Sequence, residues 1–249
     1  MAQKTILITG GSRGIGRAAA LLAGQRGWSV GVNYARDEAA AGDVVDAIRR
    51  AGGKAIALRG DVSVEGDVVV VFDGAIRALG PLNGVVVNAG VVAPTAKLAD
   101  MSVERMRRVF EVNTLGAYIC AREAARHMSL SRGGRGGAIV LISSAAARLG
   151  SPGLYVDYAG SKGAIDTLTA GLSKELGPEG VRVNAIRPGL IETDLHASGG
   201  DPERARVLGA TAPMGRAGTA SEVGEAIVWL LSDAASYCTG AILDVAGGR

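Results

Sequence analysis

Cysteine is scarce: Cys120 and Cys238 are the only two, far apart and in no paired motif. That usage excludes a disulfide framework and points to a reducing compartment, the cytoplasm. No apolar run approaches the ~20 residues a membrane-crossing helix needs, and the opening MAQKTILITG lacks the basic-then-apolar pattern of a secretory leader. A soluble cytoplasmic protein with no membrane contact is expected. Histidine is equally rare, with only His127 and His196. No Cys/His/carboxylate cluster has metal-ligand spacing, so no metal is expected. His127 reads as an exposed helix residue, and His196 falls in a long loop, near substrate at most incidentally. Charge of one sign is lacking too: 27 basic and 24 acidic side chains leave a net +3, too balanced for a nucleic-acid footprint. The densest basic stretch, SRGGRGG (131–137), reads as a flexible surface loop. Aromatic residues make up only 4% of the chain.

Glycine and aliphatic residues take their place, with 38 glycines and 48% apolar residues among 249. Small side chains suit close helix-on-sheet packing and turns where backbone approaches a ligand. Short apolar runs alternate with helical patterns along the chain. TILIT (5–9), SVGVN (29–33), KAIAL (54–58), GVVVN (84–88), AIVLIS (138–143), VRVNAI (181–186) and AILDV (241–245) are continuous rather than alternating, the mark of strands covered on both faces. Helix-length segments lie near 15–26, 37–51, 64–79, 102–130, 156–177 and 220–233, and Thr219 with Glu222 forms a capping box for the last. With no linker, the pattern predicts one α/β domain over 1–249. Its core is a Rossmann-type, doubly wound, seven-stranded parallel sheet with helices on both faces. The stretch 193–218, with Gly199, Gly200, Pro202 and Pro213, breaks the βα rhythm and reads as a substrate lid.

TGGSRGIG (9–16) follows the first strand and opens the first helix. Three glycines at that spacing occur by chance about once in a chain this rich in glycine, so the motif gains its meaning from context. Gly10, Gly14 and Gly16, with Ser12, Arg13 and Ile15 between them, would present backbone N–H groups and a helix N-terminus to a pyrophosphate. NAD binders usually carry an acidic residue at the end of the second strand. Here that strand ends in Asn33-Tyr34-Ala35-Arg36, with no carboxylate before Asp37. Arg13 and Arg36 would suit a 2′-phosphate, which favours NADP(H), while Asp37 leaves NAD(H) open. Asp61-Val62 and Asn88-Ala89-Gly90 end the third and fourth strands, facing the same crevice.

Tyr158 and Lys162 stand four apart at the start of a helix and share a face. A free phenol, with pKa near 10, is a poor base at neutrality. A nearby ammonium and an oxidised nicotinamide would favour the phenolate and depress that pKa. The chain's five tyrosines and five lysines would give Y-x-x-x-K by chance about 0.1 times. Tyr155 has Ala159 four residues on. Tyr118 has Arg122, but in mid-helix.

Taken in order, TGGSRGIG, DV (61–62), NAG (88–90), VN (112–113), ISS (142–144), Y-x-x-x-K (158–162) and RPGLIET (187–193) resemble the single-domain branch of the short-chain dehydrogenase/reductase family. The likeness runs from Lys4 to Gly248 and extends to 3-oxoacyl-carrier-protein reductases and glucose 1-dehydrogenases. It implies that Tyr158 is the proton donor and that Lys162 lowers its pKa and binds ribose. By the same likeness Ser144 holds the substrate oxygen, with Ser143 one position away as an alternative, and Asn113 holds a water beside the lysine. Asp61 and Val62 match the adenine-binding pair, Asn88 the adenine and ribose pocket, and Pro188, Gly189, Ile191 and Thr193 the segment around the carboxamide. Asparagine is a poor helix-interior residue, consistent with work for Asn113 elsewhere.

Three features depart from the family pattern. Val87 replaces the first Asn of NNAG. Ser144 and Tyr158 are 14 positions apart, one more than usual, and the glycine-rich stretch 131–137 lengthens the turn before the fifth strand. The expected function is reversible hydride transfer between NADP(H) and a carbonyl/secondary-alcohol pair. The alternatives are a non-catalytic NADP(H)-sensing protein and an NAD-dependent sugar or alcohol dehydrogenase. Val91, Val92, Pro94, Leu154, Tyr155 and Leu190 should line an apolar substrate pocket for a ketone or 3-oxoacyl group. The family resemblance also implies a homotetramer, with TGAILDVAGGR as a tail packed at an interface.

Overall fold

The computed structural model describes residues 4–193 and 203–249. Residues 194–202 lie outside this description, and with them His196, Gly199, Gly200, Pro202 and much of the expected lid.

Strands β1 (Thr5–Ile8), β2 (Ser29–Tyr34), β3 (Ala55–Arg59), β4 (Gly84–Val87), β5 (Gly137–Ile142) and β6 (Val181–Pro188) join the last, β9 (Ile242–Val245), in one parallel sheet ordered β3-β2-β1-β4-β5-β6-β9. The seven apolar runs are thus the seven strands. β1, β2 and β4 are buried along their whole length because helices cover both faces. On one face α1 (Gly14–Gln25), α2 (Glu38–Arg50) and α9 (Ala220–Leu231) pack through Ala19, Ala23, Val44, Ile48 and Ile227. On the other, α3 (Glu65–Leu79), α5 (Gly116–Met128) and α7 (Val156–Leu176) pack through Phe72, Ala121, Ala124 and Ile165. Alanine along α1 and α5 lets these helices sit close to the sheet, which is how the chain builds a dense core with few aromatics.

Chemistry of the chain sets the helix starts. Asp37 caps α2 by accepting from Ala40 N–H at 2.9 Å. The Thr219–Glu222 capping box forms as expected. The expected helix over 102–130 is instead two, α4 (Val103–Phe110) and α5, joined by a π-helical turn at Glu111–Leu115 around buried Asn113. A single helical turn, α6 (Ala146–Leu149), follows β5 and precedes α7. Short strands β7 (Ile191–Glu192) and β8 (Gly218–Thr219) pair in parallel and tie together the two ends of the 193–218 stretch, within which α8 (Arg204–Gly209) lies.

Two surface readings need correcting. The stretch 131–137 is pinned rather than loose: Gly134, Gly136 and Gly137 donate to the carbonyls of Ser129, Met128 and Gly180 at 2.8–3.0 Å. At Gly137, with φ +140°, a Cβ would meet the Asn83 carbonyl at 2.3 Å, so only glycine fits. His127 is half-buried rather than exposed, stacked on Phe72 at 6.0 Å because the helix face it shares with Ala124 turns toward α3.

Candidate active site

In a doubly wound sheet the connections from neighbouring strands part to opposite faces where the strand order reverses, leaving a crevice at the carboxyl ends. Here that point lies between β1 and β4: α1 leaves toward one face, and the segment after β4 leads to helices on the other. A cleft of about 790 Å³ opens there.

Its floor at one end is the glycine loop. Gly10, Ser12, Arg13, Gly14 and Ile15 line the cleft, but Gly16 has a different task. A Cβ there would stand 2.4 Å from the Gly10 carbonyl and 2.6 Å from Asn88 Nδ2, so Gly16 lets α1 close onto the loop that precedes it. Asn88 holds the same loop, donating through Nδ2 to the Thr9 and Gly10 carbonyls at 2.9 and 3.0 Å. Asn33 holds it from β2: Oδ1 accepts from Gly10 N–H at 3.2 Å and Nδ2 donates to the Leu58 and Gly60 carbonyls. Both asparagines line the cleft while bracing its floor.

Tyr34, Arg36, Asp61, Val62, Ala89 and Gly90 line the cleft as well. Asp61 brings partners the sequence did not reveal. Burial pushes its carboxyl up, but hydrogen bonds from Ser63 and the Arg108 guanidinium at 3.2 Å outweigh this and hold it below the ordinary range. Asp37 also lines the cleft, and its Oδ1 caps α2. Arg13 and Arg36 make no ion pair among the described residues.

The other end holds Ser144, Tyr158 and Lys162. Tyr158 accepts a hydrogen bond from Ser144, which pulls the phenol pKa down, yet burial dominates and raises it above 10. In the protein alone the phenol is thus held as the acid, the reverse of the depression expected with an oxidised cofactor in place. Ser143 turns the other way, buried, its hydroxyl on the Lys162 carbonyl at 3.2 Å. This separates the two serines that the sequence left ambiguous. Lys162 donates to the Ile142 carbonyl at 2.7 Å, with Nζ 5.8 Å from the Tyr158 ring centre. Burial brings its pKa down to about 8, opposed by Asp166 one turn further on.

Asn113 does not line the cleft; it braces the wall behind it. Its Oδ1 accepts from Val91 N–H at 2.7 Å, while Nδ2 donates to the Val91 carbonyl at 2.9 Å and the Ser161 hydroxyl at 3.1 Å. A Cβ on Gly90 would lie 3.3 Å from Asn113 Oδ1 and 3.5 Å from Lys162 Nζ, so amide oxygen and ammonium converge beside that glycine. The catalytic helix is fastened at its start. Arg105 forks onto buried Asp157 at 2.8 and 3.2 Å and also donates to the Pro94 carbonyl, while Asp157 accepts from Tyr158 N–H.

Pro188, Gly189, Leu190, Ile191 and Thr193 form the wall beyond β6, with Thr193 against Gly14. Tyr155, Val91 and Val92 line the cleft as expected; Pro94 and Leu154 do not. Their backbones serve elsewhere, Pro94 for Arg105 and Leu154 as an acceptor for Ala96 N–H at 3.1 Å. Arg108, Leu149, Ser151 and Arg249 join the lining without a sequence signal, because each reaches the cleft only through the packing of its segment. Among the described residues no group of three His, Cys, Asp or Glu side chains could hold a metal, and no helix is long and apolar enough to cross a membrane.

A glycine-loop helix N-terminus at a sheet switch point, with a Ser–Tyr–Lys cluster at the same strand ends, defines a dinucleotide-dependent oxidoreductase. The chain belongs to the short-chain dehydrogenase/reductase family, whose enzymes use nicotinamide cofactors to act on CH–OH/C=O groups. Residues 10–249 match the family model described as enoyl-(acyl carrier protein) reductase. The chain is 53% identical over 243 residues to the oxidoreductase YgfF of Escherichia coli (strain K12), covering 98% of each. It is 39% identical to versicolorin reductase 1 of Dothistroma septosporum over 98% of this chain and 95% of that one. The crystal structure of a dehydrogenase/reductase from Sinorhizobium meliloti 1021 superposes with a TM-score of 0.91 at 32% identity, covering 100% of this chain and 95% of that one.

Proposed function

We propose that this protein interconverts a carbonyl and a secondary alcohol with NADP(H), Tyr158 moving the proton at its phenol oxygen. The observation that carries this reading is the Ser144–Tyr158 hydroxyl pair, half-buried in the cleft wall with the buried Lys162 ammonium one helical turn on. When bound, the nicotinamide supplies or accepts the hydride. In reduction Tyr158 gives its proton to the substrate oxygen, and in oxidation it takes one back. Ser144 donates to the same oxygen and sets its position. Lys162 holds ribose hydroxyls and stabilises the phenolate once the proton has left. Asn113 keeps the loop after β4 at the distance this cluster needs.

Preference for NADP(H) over NAD(H) is supported by Arg13 and Arg36 beside the cleft and by Asp37, one of whose carboxylate oxygens caps α2 through Ala40 N–H. Substrate sits against Tyr155, Val91, Val92 and Leu190, an apolar wall suited to a ketone or 3-oxoacyl group. The likeness to versicolorin reductase 1, named as a reductase, agrees with work in the carbonyl-reducing direction. The 193–218 stretch closes over the substrate as a lid on the β7–β8 base. The enzyme works in the cytoplasm as a homotetramer of single-domain chains, on a small-molecule substrate.

The test is a panel of ketones, 3-oxoacyl and enoyl thioesters and sugars, read by nicotinamide absorbance with NADPH and with NADH. Turnover of a carbonyl compound, faster with NADPH, is expected. Tyr158→Phe should bind NADPH and lose on the order of 10²–10⁴ in kcat. Full turnover by that variant, or reduction of enoyl thioesters alone, would refute the assignment.

A further inference from the structure

Arg249 lines the cleft, and its Nη1 is buried without a hydrogen-bond acceptor among the described residues. A buried guanidinium nitrogen in that state is costly, because it has left water and gained nothing in exchange. Its place in the cleft is defined by its neighbours. The Arg249 main-chain oxygen accepts from Arg148 at 2.6 Å, and its N–H donates to the Ala246 carbonyl at 3.2 Å. Ala246 in turn packs on Gly189, where a Cβ would stand 2.7 Å from its Cα. The Pro188 carbonyl accepts from Ala145 N–H at 2.9 Å, next to Ser144. Arg249 therefore belongs to the β5–β6–β9 end of the cleft, with Ser144, and not to the β1–β2–β3 end where Arg13 and Arg36 stand.

Charge at the two ends differs. Both carboxylates in the cleft lining, Asp37 and Asp61, lie at the β2–β3 end, and each is already engaged. At the substrate end the lining cations among the described residues are Lys162 and Arg249, and Leu149, Tyr155 and Leu190 line the cleft as well. Lys162 has the Ile142 carbonyl. Among the described residues that line the cleft, no carboxylate pairs with Arg249.

We infer that Arg249 is the receptor for a carboxylate on the substrate, so that the natural substrate is an oxo acid or hydroxy acid. A planar guanidinium with an unmet donor matches a planar carboxylate bidentately. A phosphate would call for several cations, and only one is free at this end. The lid residues Ala212 and Met214 pack on Gly247, with Met214 N–H on the Gly247 carbonyl at 3.1 Å. The donor that is costly in the free enzyme becomes paired when the acid binds, so recognition draws on a group already stripped of water.

This inference rests on the carbonyl–alcohol reading above, and the experiment separates the two. Levulinate and acetoacetate are each compared with their methyl esters as substrates of the wild type, Arg249→Gln and Arg249→Lys with NADPH. The wild type should prefer acid to ester. In Arg249→Gln the acid-to-ester ratio of kcat/KM should fall on the order of 10- to 100-fold, mainly through KM for the acid. Arg249→Lys, which keeps the charge but not the fork, should fall in between. Ester turnover with an acid-to-ester ratio that the variants do not move would overturn the role of Arg249 while leaving the carbonyl–alcohol reading intact. Where the wild type turns over none of the four, thermal stabilisation by the acids and not the esters, lost in Arg249→Gln, would support it; no such stabilisation would overturn it.

Discussion

Lys162 is 4% exposed, and the acceptor its ammonium meets is a single backbone carbonyl. A charge so placed costs stability, and the sign follows from its pKa. The unfolded lysine titrates near 10.5 and the folded one near 8, so between those values the unfolded chain binds more protons and stability rises with pH. Below about 8 the full cost of burying the charge is present. Lys162→Met should therefore melt at a higher temperature than the wild type at neutral pH, and that advantage should shrink as pH rises from about 8 to 10.5. Its turnover should be lost at every pH. Calorimetry across that range checks the first part, and a wild type no less stable than the variant at pH 7 would contradict it. Tyr158 and Lys162 were legible as a pair because i and i+4 share a helix face whatever the helix packs against. Their protonation was not legible, since burial, which dominates both, is a property of what surrounds them.

At the scale of elements, the π-helical turn at Glu111–Leu115 is where a regular pattern gives way to the site. Sequence periodicity reads straight through it, because one extra residue per turn changes the hydrogen bonding without changing which residues are apolar. Asn113 marked the place only as a poor helix former. What the turn achieves is to aim that amide at both backbone groups of Val91. Asn113→Ala would leave the Val91 N–H and carbonyl and the Ser161 hydroxyl short of partners, at roughly 2–4 kcal/mol, or a melting temperature lower by about 5–10 °C. A drop under 2 °C in a thermal scan would mean that water replaces the amide at little cost. The clamp of Arg105 on Asp157 is likewise an element-level device, since it joins α4 to the start of α7 across 52 positions of sequence. No local pattern signals it. The strands and the cap of α9 were read in advance because their causes lie within a few residues of one another.

For the whole molecule, the exposed large apolar side chains include groups on both faces of the sheet. Val103, Phe110, Leu115 and Tyr118 lie along α4, the π-helical turn and α5, while Trp229 and Tyr237 lie on and after α9, which packs on the opposite face of the sheet. The proposed tetramer, with two kinds of two-fold contact, would draw on one such group from each face. Light scattering should give four chains of 25.1 kDa, about 100 kDa, and Phe110→Glu should shift the population to dimers. A monomer at micromolar concentration would contradict the proposed assembly. The tail TGAILDVAGGR was expected at such an interface. Within it Ile242–Val245 forms the edge strand, and Arg249 beyond turns back to the cleft.

By itself the sequence determined the seven-stranded parallel sheet, the glycine loop and the Tyr158–Lys162 pair, because strand burial, helix-start chemistry and i,i+4 spacing act over a few residues. Only the tertiary structure decided which of the two serines meets Tyr158, that Asp61 answers to Arg108, that Pro94 and Leu154 stand outside the cleft, and that Arg249 stands inside it. Those are contacts between segments distant in the chain, and their geometry exists only once both cores have packed the helices onto the sheet.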